Sequence, residues 1–169
     1  GGGLGSEQVR MMAKEGAKIV AANLKQDPII AEEQPADALW KKTLNLVKEI
    51  NQNGGEAIAV ALDVTQEQDW TDAVAETEKR FGRLDVLVNN AGIYYHAGLL
   101  EHTIEKFYQI VNINQLGVLL GMKAAVPAMK RAGGGSIVNF ASIYGIAGAG
   151  VSTAYQSTKG AVRLMTKSA

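Results

Sequence analysis

Four short apolar runs, each set between helical stretches, limit this chain to few architectures. "AKIVAANL" (17–24), "EAIAVALDV" (56–64), "RLDVLVNNAG" (83–92) and "GGGSIVNFAS" (133–142) are short, apolar and bounded by glycine or turn residues, so each reads as a strand. Between them the apolar residues recur at helical spacing. The pattern predicts a helix from about Ser6 to Gly16 with Val9, Met12 and Ala13 on one face. It predicts another over 38–55 with Leu39, Leu44, Val47 and Ile50 as its stripe, closed by Asn53-Gly54-Gly55. Thr65, followed by Glu67 and Gln68, reads as the N-cap of a third helix with Trp70, Val74, Thr77 and Phe81 inward. A long helix of about 104–131, deformed near Gly117 and Pro127, and a last one over 153–169 complete the series.

Helix and strand therefore alternate, which implies an α/β fold whose parallel sheet is covered on both faces. In such sheets ligands sit beyond the carboxyl ends of the strands. The residues at those ends are Asn23, Asp63, Asn89 to Gly92, and Ser142.

Composition narrows the function. Lys+Arg and Asp+Glu balance at 17 each, without the basic surplus of a nucleic-acid binder. The absence of cysteine excludes disulfides and thiolate metal sites. His96 and His102 lack a spaced carboxylate motif and read as surface residues, so no metal site is expected. No unbroken apolar run reaches the roughly 18 residues of a membrane span, and no signal-peptide pattern opens the chain. The expectation is a cytoplasmic protein of one domain, with no membrane partner.

"YQSTK" (155–159) places Tyr155 and Lys159 four apart, on one face of the last helix. A free phenol titrates near about pH 10, too high for efficient proton exchange near neutrality. An ammonium at about 5 Å attracts the phenolate by roughly 3 kcal/mol at an effective dielectric near 20, and desolvation opposes it. Such pairs are common on helix surfaces, so this one gains meaning only from its company. Ser142 ends a strand thirteen positions earlier, "NNAG" (89–92) ends another, and Asn114 precedes Gly117 by three. Ser142 is not in a Gly-x-Ser-x-Gly elbow and has no triad histidine, which argues against a serine hydrolase.

Taken in order, these residues resemble the short-chain dehydrogenases/reductases over essentially the whole chain. Gly3-Leu4-Gly5 is similar to the end of that family's Thr-Gly-x-x-x-Gly-x-Gly cofactor loop, and Asp63-Val64 to its adenine-contacting pair. Asn89-Asn90-Ala91-Gly92 resembles its NNAG motif, and Asn114, Ser142, Tyr155 and Lys159 its catalytic tetrad. The resemblance implies a Rossmann-like, doubly wound parallel sheet in three αβα layers, here a single partial NAD(P)-binding domain over 1–169. It implies interconversion of a secondary alcohol and a carbonyl by hydride transfer, with Tyr155 as general acid/base and Ser142 holding the substrate oxygen. Lys159 would act on Tyr155 and bind the nicotinamide ribose, and Asn114 would position a relay water.

An acidic residue at the end of the second family strand favours NAD. Asn23 stands there, with Lys25 and Asp27 nearby and no basic side chain at Gly1 or Gly2, so the reading leans to NAD over NADP. The resemblance further implies a small uncharged alcohol or carbonyl substrate and a homotetramer built on the two long helices. The loop 25–37 is longer than the family's connection and reads as a surface insertion or a flap over the adenosine. The family's first strand and substrate loop have no counterpart here. Strands ending at Asn23 and Asn89 are therefore expected to face each other across a gap, and the 169 residues alone to be unstable. The alternatives are an NAD(P)-binding regulatory protein without turnover, and an inactive fragment of such an enzyme.

Overall fold

A computed structural model describes residues 3–26 and 35–169. Gly1, Gly2, Asp27 and the middle of the 25–37 loop lie outside the described residues.

All four predicted strands form. β1 (Ile19–Asn23) pairs in parallel with β2 (Ala57–Ala61), Ile19 opposite Ala57 and Asn23 opposite Ala61. β3 (Val86–Asn89) pairs in parallel with β4 (Ser136–Asn139), Val86 opposite Ser136. The two pairs are separate sheets, with no pairing between β1 and β3 among the described residues. Ile19 N–H donates to the Glu56 carbonyl at 2.8 Å, and Leu62 N–H to the Asn23 carbonyl at 2.9 Å. Odd-numbered peptide groups of β1 thus face β2, and those of Val20 and Ala22 face the open edge. The same parity holds in β3, where Asp85 and Asn89 accept from Ser136 and Phe140 and leave Val86 and Val88 turned outward.

Helices cover these strands through three apolar clusters. α1 (Gly3–Lys14) and α2 (Ala38–Gln52) bury Leu46 and Ile50 against Ile19, Ala21 and Ala57, with Val9, Met12 and Ala13 alongside. A bidentate pair from Arg10 to Glu49, at 2.8 and 2.9 Å, ties the two helices. α3 (Glu67–Phe81) lays Trp70 and Ala73 against Leu62 of the β2 end and Leu120 of α5 (Gly117–Arg131), with Leu87 of β3 packed alongside. α6 (Thr153–Ser168) sets Val162 against Val118 and Met122. The whole is a Rossmann-like α/β arrangement of parallel strands and covering helices.

Local boundaries correct several expectations. α1 begins at Gly3, so Gly3-Leu4-Gly5 is its first turn rather than a loop before it. Glycine has no Cβ to resist this, and nothing lies within 4 Å of where a Gly3 Cβ would be. The buried stripe of α2 is Thr43, Leu46 and Ile50, and Leu44 is exposed. Thr65 does not cap α3. Its N–H and hydroxyl both bond to Asp63 Oδ1, at 2.9 and 2.8 Å, and the helix starts after Gln66.

The long helix runs from α4 (Ile104–Val111) through a π-helical turn (Asn112–Leu116) into α5. Its deformation lies just before Gly117, and Pro127 sits inside α5 without ending it. Although no unbroken apolar run reaches the length of a membrane span, this 28-residue helix is by length and composition apolar enough to cross a membrane. Isolated charges interrupt the runs without lowering the average hydropathy much. Its buried residues, among them Val118, Leu120, Met122, Ala125, Ala128 and Met129, pack inside this fold.

Candidate active site and cofactor cleft

α6 carries Tyr155 and Lys159 one turn apart, because four residues advance a helix slightly beyond one revolution. Lys159 is only 4% exposed, and its Nζ lies 5.6 Å from the centroid of the Tyr155 ring. That ammonium donates to the Phe140 carbonyl at 2.6 Å, at the end of β4. Burial moves the Lys159 pKa down from the ordinary lysine value.

The turn after β3 closes on the same point. A Cβ on Gly92 would lie 3.3 Å from Asn114 Oδ1 and 3.6 Å from Lys159 Nζ, so glycine keeps this junction open. Asn114 is fully buried within the π turn. Its Oδ1 accepts from Ile93 N–H at 2.8 Å, and its Nδ2 donates to the Ile93 carbonyl at 2.9 Å. The Thr158 hydroxyl lies 3.4 Å from the same Nδ2. The Asn114 side chain therefore fixes the chain after Gly92, with one lone pair of Oδ1 left unused by the described residues.

Ser142 follows β4 and caps a single 3₁₀ turn (Ile143–Gly145), its Oγ accepting from Tyr144 N–H at 3.2 Å. The hydroxyl hydrogen carries no bond to the described residues and can donate. Gly145 presses this turn onto α6, since a Cβ on it would meet the Lys159 carbonyl carbon and oxygen at 2.7 Å. Further contributors lie outside the predicted site residues. Tyr94 sets its ring edge-on to Tyr155 with centroids 5.1 Å apart. Beneath the site, Asn89 Nδ2 donates to Asn139 Oδ1 at 2.8 Å, and Asn139 Nδ2 donates to Thr166 Oγ1 at 3.0 Å. Asn89 opens the NNAG segment, whereas the only signal for Asn139 is an asparagine at the same end of the neighbouring strand.

The second group of predicted residues surrounds the strand ends on the α1 side. A Cβ on Gly5 would lie 3.0 Å from Asn90 Nδ2, which brings the first turn of α1 against the NNAG segment. Gly3 and Leu4 precede it, both exposed. Ala91 and Gly92 are exposed as well. Asp63 uses Oδ1 on Thr65, leaving Oδ2 without a bond to the described residues. Val64 packs on Gly117, and its carbonyl accepts from Trp70 Nε1 at 3.0 Å. Asn23 is held within the chain. Its amide donates to Thr43 Oγ1 at 3.1 Å and its Oδ1 accepts from Leu24 N–H at 3.0 Å, so the side chain is tied to α2 and to its own turn. His102, expected at the surface, has a buried Nδ1.

The sequence model of the short chain dehydrogenase family matches residues 1–169. The chain belongs to that family. As a short-chain dehydrogenase it is 36% identical to a 2,5-dichloro-2,5-cyclohexadiene-1,4-diol dehydrogenase of Sphingobium indicum, over 99% of this chain and 61% of that protein. It is 40% identical to a trans-4-hydroxycyclohexanecarboxylate dehydrogenase of Sinomonas cyclohexanicum, over 98% of the chain and 60% of the relative. A solved gluconate 5-dehydrogenase from Burkholderia cenocepacia J2315, in complex with NADP and tartrate, superposes with a TM-score of 0.85 at 29% identity. That match covers 99% of this chain and 60% of the other. The chain thus spans about three fifths of the length of these relatives.

Proposed function

We propose that the protein of which these residues form part is an NAD(P)-dependent oxidoreductase. It interconverts a secondary alcohol and a carbonyl, with Tyr155 exchanging the proton. The observation that carries this reading is the buried Lys159 ammonium, set between the Tyr155 ring and the Gly92–Asn114 junction. A buried cation is costly and is kept where its charge is used.

The residues present suit a dinucleotide. The first N–H groups of α1, which have no partner within the helix, open beside Asn90, where an anion gains from both the donors and the helix dipole. Gly92 leaves open the space beside Lys159 that a Cβ would fill. Asp63 Oδ2 is free to accept from an adenine amino group, with Val64 beside it. The nicotinamide, when bound, supplies or accepts the hydride. The protein's part is to orient and to move a proton. Ser142 donates to the substrate oxygen. Tyr155 gives its phenolic proton to that oxygen in reduction and takes it back in oxidation. The Lys159 charge stabilises the negative charge that develops on the phenol. Asn114 holds Ile93, and thereby Gly92, in register with Lys159.

For cofactor choice the reading is NAD. Lys25 is the basic residue at the β1 end, and its Nζ stands over the Trp40 ring at 5.9 Å from the centroid. For substrate, the reading is a small uncharged cyclic alcohol or its ketone. The names of the relatives support the cyclic alcohol: two are dehydrogenases of substituted six-membered rings, one of them bearing a carboxylate, and a cyclopentanol dehydrogenase of Comamonas is 39% identical. The edge of Tyr94 beside Tyr155 and the exposed Ile143 and Ile146 offer such a ring an apolar wall. A tetramer through α5 and α6, which expose Leu119 and Leu164, and a cytoplasmic location belong to the same reading. A panel of cyclic secondary alcohols, assayed with NAD and NADP on the intact protein, tests it. Reduction of NAD by at least one neutral cyclic alcohol is expected, and cofactor binding without turnover on the whole panel refutes it.

A further inference from the structure

The helix that carries Tyr155 starts without a cap of its own. Ser152 precedes it in the left-handed region at φ 55 and ψ 54, and its side chain makes no capping bond. A capping serine ordinarily takes the extended region and turns its oxygen onto the first amides. Here the Ser152 Oγ is buried and unpartnered. The amide of Ala154, next to Tyr155, instead donates to His102 Nε2 at 3.3 Å, across 52 residues of sequence.

Three more contacts make this a built arrangement. The His102 ring stacks on Tyr95, with centroids 5.5 Å apart and planes at 25°, which sets the direction of Nε2. Ser152 N–H donates to the Ala97 carbonyl at 2.7 Å, so the 93–103 segment grips the start of α6 at two points. Tyr94 of that segment meets the Tyr155 ring itself. Because Nε2 accepts, the ring proton of neutral His102 must sit on Nδ1, which is buried without a partner among the described residues.

We infer that His102 is a positioning residue that caps α6 from outside the helix and so fixes where Tyr155 stands. It touches no reacting group and acts through the Ala154 amide. The inference rests on the proposed role of Tyr155, but its first readouts do not. Imidazole nitrogen resonances of the intact protein are expected to show the Nδ1–H tautomer. Replacing His102 with leucine, which fills space without accepting, is expected to speed amide exchange at Ala154 about fivefold. It should also shift the Tyr155 ring resonances. His102→Gln, which restores an acceptor near Nε2, should reverse most of both changes.

In turnover, His102→Leu is expected to lower kcat by about tenfold or more with little change in KM for the dinucleotide, and His102→Gln to recover most of it. An Nε2–H tautomer in the wild type overturns the inference. So does an unchanged Ala154 amide in the leucine variant, or a glutamine variant that recovers nothing. Should the leucine variant fail to fold, the wild-type tautomer and the glutamine variant still decide. Should the wild type transfer no hydride, the activity reading falls, while tautomer, exchange and ring resonances still decide the cap.

Discussion

Lys159 Nζ stands 5.6 Å from the centre of the Tyr155 ring while bonded to the Phe140 carbonyl at 2.6 Å. One cation therefore joins α6, the end of β4 and the open space beside Gly92. Its burial has a consequence for stability. The folded pKa of Lys159 is depressed, so between it and the ordinary value of 10.5 the unfolded chain binds more protons than the folded one. Stability from this group then rises with pH across that window. Lys159→Met is expected to remove that rise while abolishing turnover. Denaturant titrations of both proteins from neutral pH upward measure it.

Asn114 supports the site by pairing both the N–H and the carbonyl of Ile93 from a fully buried position. Truncating it leaves those groups unmet where water has poor access. Asn114→Ala is expected to cost about 2–4 kcal/mol in denaturant unfolding and to lower kcat as the Gly92 turn loosens.

Gly145 and Gly148 form a matched pair. A Cβ on Gly145 meets backbone atoms of Lys159 at 2.7 Å, whereas one on Gly148 meets only Gln156 Oε1 at 3.8 Å. Backbone cannot move aside cheaply, so Gly145→Ala is expected to lose about 1–3 kcal/mol and to lower activity by displacing Ser142. Gly148→Ala should leave both nearly unchanged. Thermal melts and kcat compare them directly.

Acid should weaken the seams between helices. Hydrogen bonds from Arg10 lower the pKa of Glu49, and those from Arg131 lower that of Glu78. Depressed carboxyl groups stabilise the fold above their unfolded pKa, about 4.5, and lose that contribution as pH falls through the folded values. Both pairs are solvent-exposed, so the effect is modest and screened by salt. Arg10→Met should therefore differ in Tm from the wild type near neutrality and converge with it in acid.

Much of the site was legible because its residues sit at strand ends, and strand ends follow from apolar runs. Tyr155 and Lys159 share one face of α6, as their four-residue spacing implied. Side-chain commitments were not legible. Nothing in the sequence around Asn23 announces that Thr43 of α2 will take its amide. Thr65 has the form of a cap, but Asp63, two residues back, takes its hydroxyl. The π turn at Asn112–Leu116 answers to Asn114 reaching Ile93, a long-range bond that periodicity does not encode. The divided sheet agrees with the gap expected between the strands ending at Asn23 and Asn89, as β1 and β3 do not pair among the described residues. Two-stranded pairs are marginal alone. The 169 residues expressed by themselves are accordingly expected to melt over a broad range, and a sharp cooperative transition would count against this.

The most direct test of the account is single-turnover oxidation of bound NADH by a cyclic ketone, comparing wild type with Tyr155→Phe in the intact protein. The substitution removes one hydroxyl and preserves the ring. The account predicts unchanged NADH affinity and a hydride-transfer rate lower by about 10²–10⁴. An unchanged rate in the phenylalanine variant would contradict it.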